Sequence, residues 1–132
     1  MHELIYIDIL ENNMKILFVC VGNSCRSQMA EAIARHLGHE SASAGTHPEK
    51  NVSLNAIKAL NKMGFDSEGL YPKVIDEHNW TSFDKVISMG CGVNCPMIEI
   101  DQDWGLEDPF GQSLEAFINC AKIIKEKIEN LE

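Results

Sequence analysis

The stretch that decides the fold is Lys15-Ile16-Leu17-Phe18-Val19, followed at once by Cys20-Val21-Gly22-Asn23-Ser24-Cys25-Arg26-Ser27. The first five residues are mostly β-branched, aromatic or aliphatic and too few for a helix, so they predict a buried strand. After the second run, apolar residues recur at helical spacing, at Ala30, Ile33, Ala34 and Leu37. Cys20 is therefore expected at the carboxyl end of a strand, the edge at which open α/β sheets bind ligands.

The residue types between this strand and helix suit the binding of an anion. We expect Gly22 and Asn23 to take left-handed backbone conformations that turn successive amides inward. Arg26 carries a planar fork of donors that matches two oxygens of a tetrahedral oxyanion. Ser27 can donate a hydrogen bond to the sulfur of Cys20, which favours a nucleophilic thiolate. The predicted oxyanion-binding residues are Val21, Gly22, Asn23, Ser24, Cys25 and Arg26.

Other interpretations of this loop are weaker. Cys20 could be a core cysteine that happens to precede an arginine, but the strand, the Gly-Asn turn, the serine and the amphipathic helix around it favour an anion loop. The loop does not end in Gly-Lys followed by Ser or Thr, so a nucleoside-triphosphate loop is excluded.

Length and charge restrict the class of protein. A chain of 132 residues can form one domain with its own core. Its net charge of -9 argues against a nucleic-acid partner, so a small anion must be attracted by local donors. Residues 1–13 contain no basic leader or cleavage site, and no apolar run is long enough to span a membrane. We therefore expect a cytoplasmic protein without membrane contact, with an N-terminal extension at 1–13 and a single domain at 14–132.

Five cysteines, an odd number in such a chain, argue against a framework of structural disulfides. Cys91 and Cys95 are separated by three residues on a Gly-rich loop after an apolar stretch, which favours thiol redox chemistry. We expect Cys120 and Cys25 to be packed as small buried hydrophobes. The alternative for the Cys91 and Cys95 pair is half of a metal site, completed from His47, His78 or Cys25.

The remaining apolar patterns predict that strands and helices alternate along the chain. Further strands are predicted at residues 41–44, 85–89 and 97–100, helices at 53–63 and 113–131, and a helical turn within 76–82. Such an alternation predicts a three-layer α/β fold with a four-stranded parallel sheet in doubly wound order.

The loop, its continuation Gln28-Met29-Ala30-Glu31, and Asp108-Pro109 before the last helix resemble the low-molecular-weight protein tyrosine phosphatase superfamily. The run from Asn23 to Glu31, the pair ending in Cys95-Pro96, and Asp103-Trp104 before Glu107-Asp108-Pro109 are most similar to its thioredoxin-coupled arsenate reductases. The resemblance extends from residue 14 to the C-terminus. It implies a phosphotyrosine protein phosphatase I-like fold, with arsenate as substrate and phosphate or sulfate as its mimics.

The resemblance also implies a role for each matching residue of the loop. Cys20 corresponds to the nucleophile, Arg26 to the oxyanion clamp, Ser27 to the stabiliser of the thiolate and Asp108 to the general acid. It implies no organic cofactor and no resident metal in the catalytic step.

Cys91 and Cys95 correspond to the thiols that pass a disulfide outward to a donor, for which thioredoxin is expected. Their loop is shorter than in the familiar reductases, and Gly90 stands where those reductases place the first cysteine. A low-molecular-weight thiol is therefore the alternative donor.

Some relatives hold a potassium ion beside the loop, at positions that correspond to Asn23, Glu31 and Ser43. In this chain residues 68–73, which would complete the ligand set, contain no Ser, Thr or Asp.

Two other functions fit the same residues. A phosphatase of this family would use Cys20, Arg26 and Asp108 alone, although Phe110-Gly111 stands where phosphatases tend to carry tyrosines. A thiol sensor that binds an oxyanion and signals through Cys91 and Cys95 would not need Asp108.

Overall fold

The computed structural model describes residues 13–75, 80–90 and 99–131. In these ranges four strands form one parallel sheet, in the order β2-β1-β3-β4. The predicted four-stranded, doubly wound α/β fold is confirmed. The strands are β1 (Lys15–Cys20), β2 (Glu40–Gly45), β3 (Lys85–Ser88) and β4 (Gln102–Asp103), and the helices are α1 (Arg26–His36), α2 (Leu54–Lys62) and α3 (Leu114–Glu129).

Strand β1 lies in the middle of the sheet, and its apolar run is buried on both faces. Ile16 and Phe18 belong to the larger core, in which α1, α2 and α3 pack together. Leu17 and Val19 face the other way and belong to a smaller core that is covered by the short helical turn Trp80–Ser82 and its neighbours. A continuous apolar sequence is what a strand covered on both faces requires.

Helix α1 is an interior helix, and this placement sets the site. It begins at Arg26, and all of its first nine residues are buried. The sheet lies on one side of α1, and α2 and α3 lie on the others. The loop between β1 and α1 therefore has a rigid strand before it and an enclosed helix after it. No helix of the described ranges is long and apolar enough to cross a membrane.

The prediction of the fourth strand was wrong in its position. Residues 99 and 100 are not in a strand, residues 97–98 lie outside the described ranges, and β4 is instead Gln102–Asp103. Both β4 residues are exposed, so they carry no apolar signal. Before β4, the Asp101 side chain accepts from Val86 N at 2.7 Å, and a side-chain bond of this kind replaces part of the backbone ladder.

The other elements agree with their predictions to within two residues at each end, and β2 is one residue longer than predicted at both ends. Serines occupy the N-cap positions of two helices, Ser53 before α2 and Ser113 before α3, but the Ser53 side chain makes no capping hydrogen bond. The Ser113 side chain accepts from Ala116 N at 3.3 Å, as N-cap serines do. Of the turn predicted within 76–82, the structure describes the part from Trp80 to Ser82.

Candidate active site

The loop from Cys20 to Ser24 turns its carbonyl groups away from the space it surrounds. Each of the five carbonyls accepts a hydrogen bond from another part of the chain, so the peptide units have a fixed orientation. Four of the donors are backbone amides of residues 46–53, which run alongside the loop. The bonds are Thr46 N to Cys20 O (3.2 Å), His47 N to Val21 O (2.9 Å), Glu49 N to Gly22 O (2.8 Å), Gln28 Nε2 to Asn23 O (2.9 Å) and Ser53 N to Ser24 O (2.9 Å).

Peptide units whose carbonyls are bound on the outside direct their amides toward the inside, which is the arrangement of an anion nest. Asn23 has a φ of 48°, the left-handed conformation expected for it. The same expectation for Gly22 was wrong, because its φ is not positive. A Cβ at Gly22 would lie 3.1 Å from Glu49 Cγ, a close contact that the exposed Glu49 side chain can relieve by shifting.

The sulfur of Cys20 contacts two donors from the loop. Its Sγ is 2.9 Å from Ser27 Oγ and accepts from Asn23 N at 3.1 Å. Asn23 Nδ2 donates to the same Ser27 Oγ at 2.8 Å. When Cys20 is ionised its sulfur has no hydrogen to give, so in that state the Ser27 hydroxyl is the donor to Cys20 Sγ. This arrangement stabilises negative charge on the sulfur.

The amide orientation of Asn23 is itself fixed by its surroundings. Asn23 Oδ1 accepts from Lys73 N at 2.8 Å and from Gln28 Nε2 at 3.0 Å. Two donors on one atom identify it as the oxygen, so the nitrogen must face Ser27. Asn23, Ser27 and Gln28 are completely buried. Their hydrogen bonds hold the groups around the sulfur in one arrangement, although Gln28 Oε1 is buried without a hydrogen-bond partner among the described residues.

Arg26 is buried, with 4 % of its surface exposed, and one of its three guanidinium nitrogens donates to main-chain carbonyls. Nη1 donates to Met89 O at 3.2 Å and to Leu106 O at 2.7 Å. Nη2 lies 3.6 Å from Asp108 Oδ2. The guanidinium thus connects the end of β3, the segment after β4 and the predicted general acid. These contacts fix the orientation of the guanidinium that the sequence predicts as an oxyanion clamp.

Two glycines allow the chain to approach the loop this closely. A Cβ at Gly45 would lie 2.5 Å from Val21 O, so no other residue fits at the end of β2. A Cβ at Gly90 would lie 3.2 Å from Arg26 Nη1 and 3.0 Å from Leu106 N and O. Gly90 also has a φ of 117°, a left-handed region that favours glycine.

Asp108 lies at the opening of the site and is half exposed. Its Oδ1 accepts from Phe110 N at 3.0 Å, a turn that leaves Oδ2 directed toward Arg26. A cavity of about 250 Å³ contains both Cys20 and Asp108. It is lined by residues 20–26, Glu49, Asp108 and Phe110.

The other two described cysteines are buried thiols. Burial, with a smaller contribution from the charge of Asp108, raises the pKa of Cys25 to about 11. Burial also raises the pKa of Cys120 to about 11, although Arg26 opposes the shift. Both side chains are thus protonated at neutral pH, which agrees with the prediction that they pack as small hydrophobes.

Cys91 and Cys95 lie outside the described residues, so their predicted redox role and the alternative of a metal half-site both stay open. In the described ranges, no cluster of three or more His, Cys, Asp or Glu side chains is placed to hold a metal ion.

The residues that correspond to a potassium site do not fit that ion here. Glu31 Oε1 accepts from Ser43 Oγ at 2.7 Å and lies 3.4 Å from Lys73 Nζ. Asn23 Oδ1 already has two donors. Glu31 Oε1 and Asn23 Oδ1 are thus satisfied by the protein itself, and an ammonium group already stands against the carboxylate.

Sequence reasoning missed several parts of the site. Lys73, Gln28 and Gly45 have no chemical motif around them, and the carbonyls of Met89 and Leu106 leave no trace in a sequence. The one available signal was polarity at a buried position, since Gln28 and Glu31 lie on a helix with apolar neighbours.

A larger cavity of about 700 Å³, between β4 and the end of α3, contains none of the predicted site residues.

A parallel α/β sheet with an anion-binding cysteine loop at the end of β1 is the architecture of a phosphate-loop protein. The chain belongs to the family described as low molecular weight phosphotyrosine protein phosphatase, which matches residues 15–132.

Several similar proteins are named arsenate reductases. The chain is 44% identical over 125 residues to "Glutaredoxin arsenate reductase" of Synechocystis sp., covering 89% of this chain and 95% of that protein. It is 36% identical to "Arsenate reductase" of Staphylococcus xylosus, with the same coverage. A solved structure described as "An arsenate reductase in the phosphate binding state" has a TM-score of 0.80 and 44% identity, covering 88% of this chain and 94% of that one.

Proposed function

We propose that this protein reduces arsenate to arsenite, with Cys20 as the nucleophile. The observation that carries the proposal is the position of Cys20 Sγ, 2.9 Å from Ser27 Oγ and 3.1 Å from Asn23 N. These contacts favour a thiolate at the base of an oxyanion-sized cavity. The names of the relatives at 44% and 36% identity support arsenate as the oxyanion.

Arsenate and phosphate are tetrahedral oxyanions with the same charge, so one loop accepts both. The inward amides of the loop and the guanidinium of Arg26 supply the donors. The net charge of -9 makes these local donors necessary, because the field of the whole protein repels an anion.

In the first chemical step the Cys20 thiolate attacks arsenic and a water molecule leaves. Asp108 supplies a proton to the departing oxygen, as its place at the opening of the same cavity allows. The product is a covalent adduct in which arsenic is still pentavalent. A phosphatase would finish here by hydrolysis, whereas reduction needs two electrons from a second thiol.

In the second step Cys91 attacks the sulfur of Cys20. The sulfur–arsenic bond breaks, its electron pair stays on arsenic, and arsenite leaves while a Cys20–Cys91 disulfide forms. Cys95 then attacks Cys91, which frees Cys20 and leaves a Cys91–Cys95 disulfide for the donor to reduce. Gly90, the residue before Cys91 in the chain, packs closely against Arg26, which supports attack from this direction.

The donor is a thiol redox partner. Thioredoxin is the partner expected from the sequence, and the name of the Synechocystis relative favours glutaredoxin. Purified protein would be given arsenate and NADPH with either thioredoxin and its reductase, or glutaredoxin, glutathione and its reductase. Arsenate-dependent oxidation of NADPH in one arm identifies the donor. Without NADPH oxidation in either arm, the proposed reduction is wrong.

The relay is tested separately with Cys91→Ser and Cys95→Ser. Without Cys91 the adduct on Cys20 has no resolving thiol, so little arsenite should form. Without Cys95 one arsenite per protein should be released, and a Cys20–Cys91 disulfide should accumulate. Peptide mapping after a single addition of arsenate detects that crosslink. Multiple turnovers by both variants would exclude the relay.

Hydrolysis of aryl phosphates is the second candidate, because the family is named for phosphotyrosine phosphatases. It requires only Cys20, Arg26 and Asp108. If hydrolysis of an aryl phosphate is efficient while arsenate supports no NADPH oxidation, the phosphatase function replaces the reductase.

A further inference from the structure

Lys73 is an unusual residue to find beneath the loop, because only 5 % of its surface is exposed. Lysines are almost never fully buried unless they are paired. Here Nζ lies 3.4 Å from Glu31 Oε1, donates to Tyr71 O at 2.7 Å and stands 4.3 Å from the centre of the Tyr71 ring. Carboxylate, carbonyl and aromatic face together form a site for one positive charge.

The main chain of the same residue binds the active-site loop. Lys73 N donates to Asn23 Oδ1 at 2.8 Å, and Lys73 O accepts from Gly45 N at 2.8 Å. Gly45 is the glycine against which Val21 packs. The ammonium therefore fixes a backbone segment whose two polar groups hold the loop from below.

A short path of bonds leads from this charge to the sulfur. Lys73 N holds Asn23 Oδ1, Asn23 Nδ2 donates to Ser27 Oγ, and Ser27 Oγ contacts Cys20 Sγ. If the segment at Lys73 moves, Asn23 can rotate, and the Ser27 hydroxyl loses the bond that holds it beside the sulfur.

We propose that the Lys73 ammonium takes the structural place of a monovalent cation beneath the loop, and that it acts as a positioning residue for Cys20. Glu31 is neutralised by a group of the chain, so the reactivity of Cys20 does not depend on potassium. The inference rests on the proposed function only in taking Cys20 as the reactive thiol.

The first test uses the wild-type protein and needs no arsenate. The rate of Cys20 alkylation by iodoacetamide at pH 7 is followed by peptide mapping, and the melting temperature is measured, in potassium, sodium or tetramethylammonium chloride at equal ionic strength. We expect the same values in all three salts. A saturable increase of either quantity with potassium alone would overturn the proposal.

The second test removes the charge. Lys73→Met keeps the length of the side chain, and we expect Cys20 alkylation to slow by about tenfold, the effect of losing roughly one oriented hydrogen bond. Lys58→Met is the matched control, because Lys58 is an exposed lysine on α2, and its alkylation rate should equal that of the wild type. An unchanged rate in Lys73→Met would show that the ammonium does not position the loop.

The third test restores the charge from solution. Lys73→Ala leaves space beside Glu31, so potassium or ammonium should raise the alkylation rate while tetramethylammonium, which is too large, should not. A rate that stays low in every salt would contradict the role of the ammonium as a cation. These readouts do not involve arsenate. The proposal about Lys73 can therefore fail while arsenate reduction is confirmed, and arsenate reduction can fail while the role of Lys73 is confirmed.

Discussion

Asn23 and Ser27 are joined by a 2.8 Å hydrogen bond in which the amide of Asn23 is the donor, and this direction determines what Ser27 can do for the sulfur. The Ser27 hydroxyl lies 2.9 Å from Cys20 Sγ, and it is the donor in that contact when Cys20 is ionised, because a thiolate has no hydrogen to give. The loop thus contains a one-way chain of donors that ends on the nucleophile.

Ser27→Ala should remove that last donor and leave the amides of the loop in place. We expect Cys20 alkylation and arsenate turnover to fall by about tenfold, while phosphate affinity stays within roughly twofold, since one hydrogen bond is lost. Ser67→Ala is the control, because Ser67 is a half-buried serine away from the loop whose hydroxyl donates to Asn61 Oδ1 at 3.2 Å. Equal rates for Ser27→Ala and the wild type would mean that the hydroxyl does not stabilise the thiolate.

Arg26→Lys keeps the charge and loses the planar fork. A lysine cannot bond Met89 O and Leu106 O while it also contacts an anion. The free energy of phosphate binding, and that of transition-state binding calculated from kcat/KM, should each become less favourable by about 2 to 3 kcal/mol. Isothermal titration with phosphate measures the first quantity. Arg35→Lys is the matched control, since Arg35 is an exposed arginine that also bonds main-chain carbonyls, at 3.2 Å. Phosphate affinity near that of the wild type would contradict the clamp.

Asp108→Asn should slow the chemical step by roughly a hundredfold and leave phosphate binding intact, because an amide keeps the turn but cannot donate a proton as an acid does. The matched control is Asp66→Asn, since Asp66 Oδ1 accepts from Glu68 N at 2.9 Å in the same kind of turn, on an exposed part of the surface. If phosphate affinity collapses while single-turnover adduct formation is unchanged, Asp108 has a structural role instead.

The sequence was informative wherever a feature is encoded by neighbours along the chain. β1, the loop and α1 were predicted because an apolar run, a turn and a helical period follow one another directly. β4 was misplaced because its position depends on where Asp101 bonds Val86, a contact 15 residues apart. Lys73 was not recognised for a similar reason: it reaches Glu31 over 42 residues, and nothing near it in the sequence marks it as buried.

Gly90→Ala should damage the site through steric contact. The added methyl group would meet Leu106 at 3.0 Å and Arg26 Nη1 at 3.2 Å, so we expect about tenfold weaker phosphate binding as the clamp shifts. Gly64→Ala is the matched control. Gly64 has a left-handed backbone like that of Gly90, with a φ of 84°, but no atom of the described ranges lies within 4 Å of the new Cβ. Gly64→Ala should lose about 1 kcal/mol of folding stability from backbone strain and keep its phosphate affinity. The same affinity in both variants would show that the space around Gly90 is not critical.

The two buried thiols predict how stability changes with alkaline pH. The pKa values of Cys25 and Cys120 are about 11 in the folded protein, against an ordinary value near 9. Between these pH values the two thiols lose their protons in the unfolded chain but keep them in the folded protein. The thiols therefore do not change the free energy of unfolding below pH 9, and they lower it as the pH rises from 9 to 11. Each thiol should account for roughly 1 to 3 kcal/mol of that fall.

Urea unfolding at pH 8 and at pH 10.5, with a non-thiol reductant present, measures the effect. Tyrosines and lysines also titrate in this range, but their contribution is common to the wild type and the single variants Cys25→Ala and Cys120→Ala. Each variant should therefore lose less stability between the two pH values than the wild type does, even if its stability at pH 8 is lower because of the missing sulfur. If all three proteins lose the same amount, the thiols ionise as readily in the folded protein as in the unfolded chain, and Cys25 would then be available as a second reactive thiol in the loop.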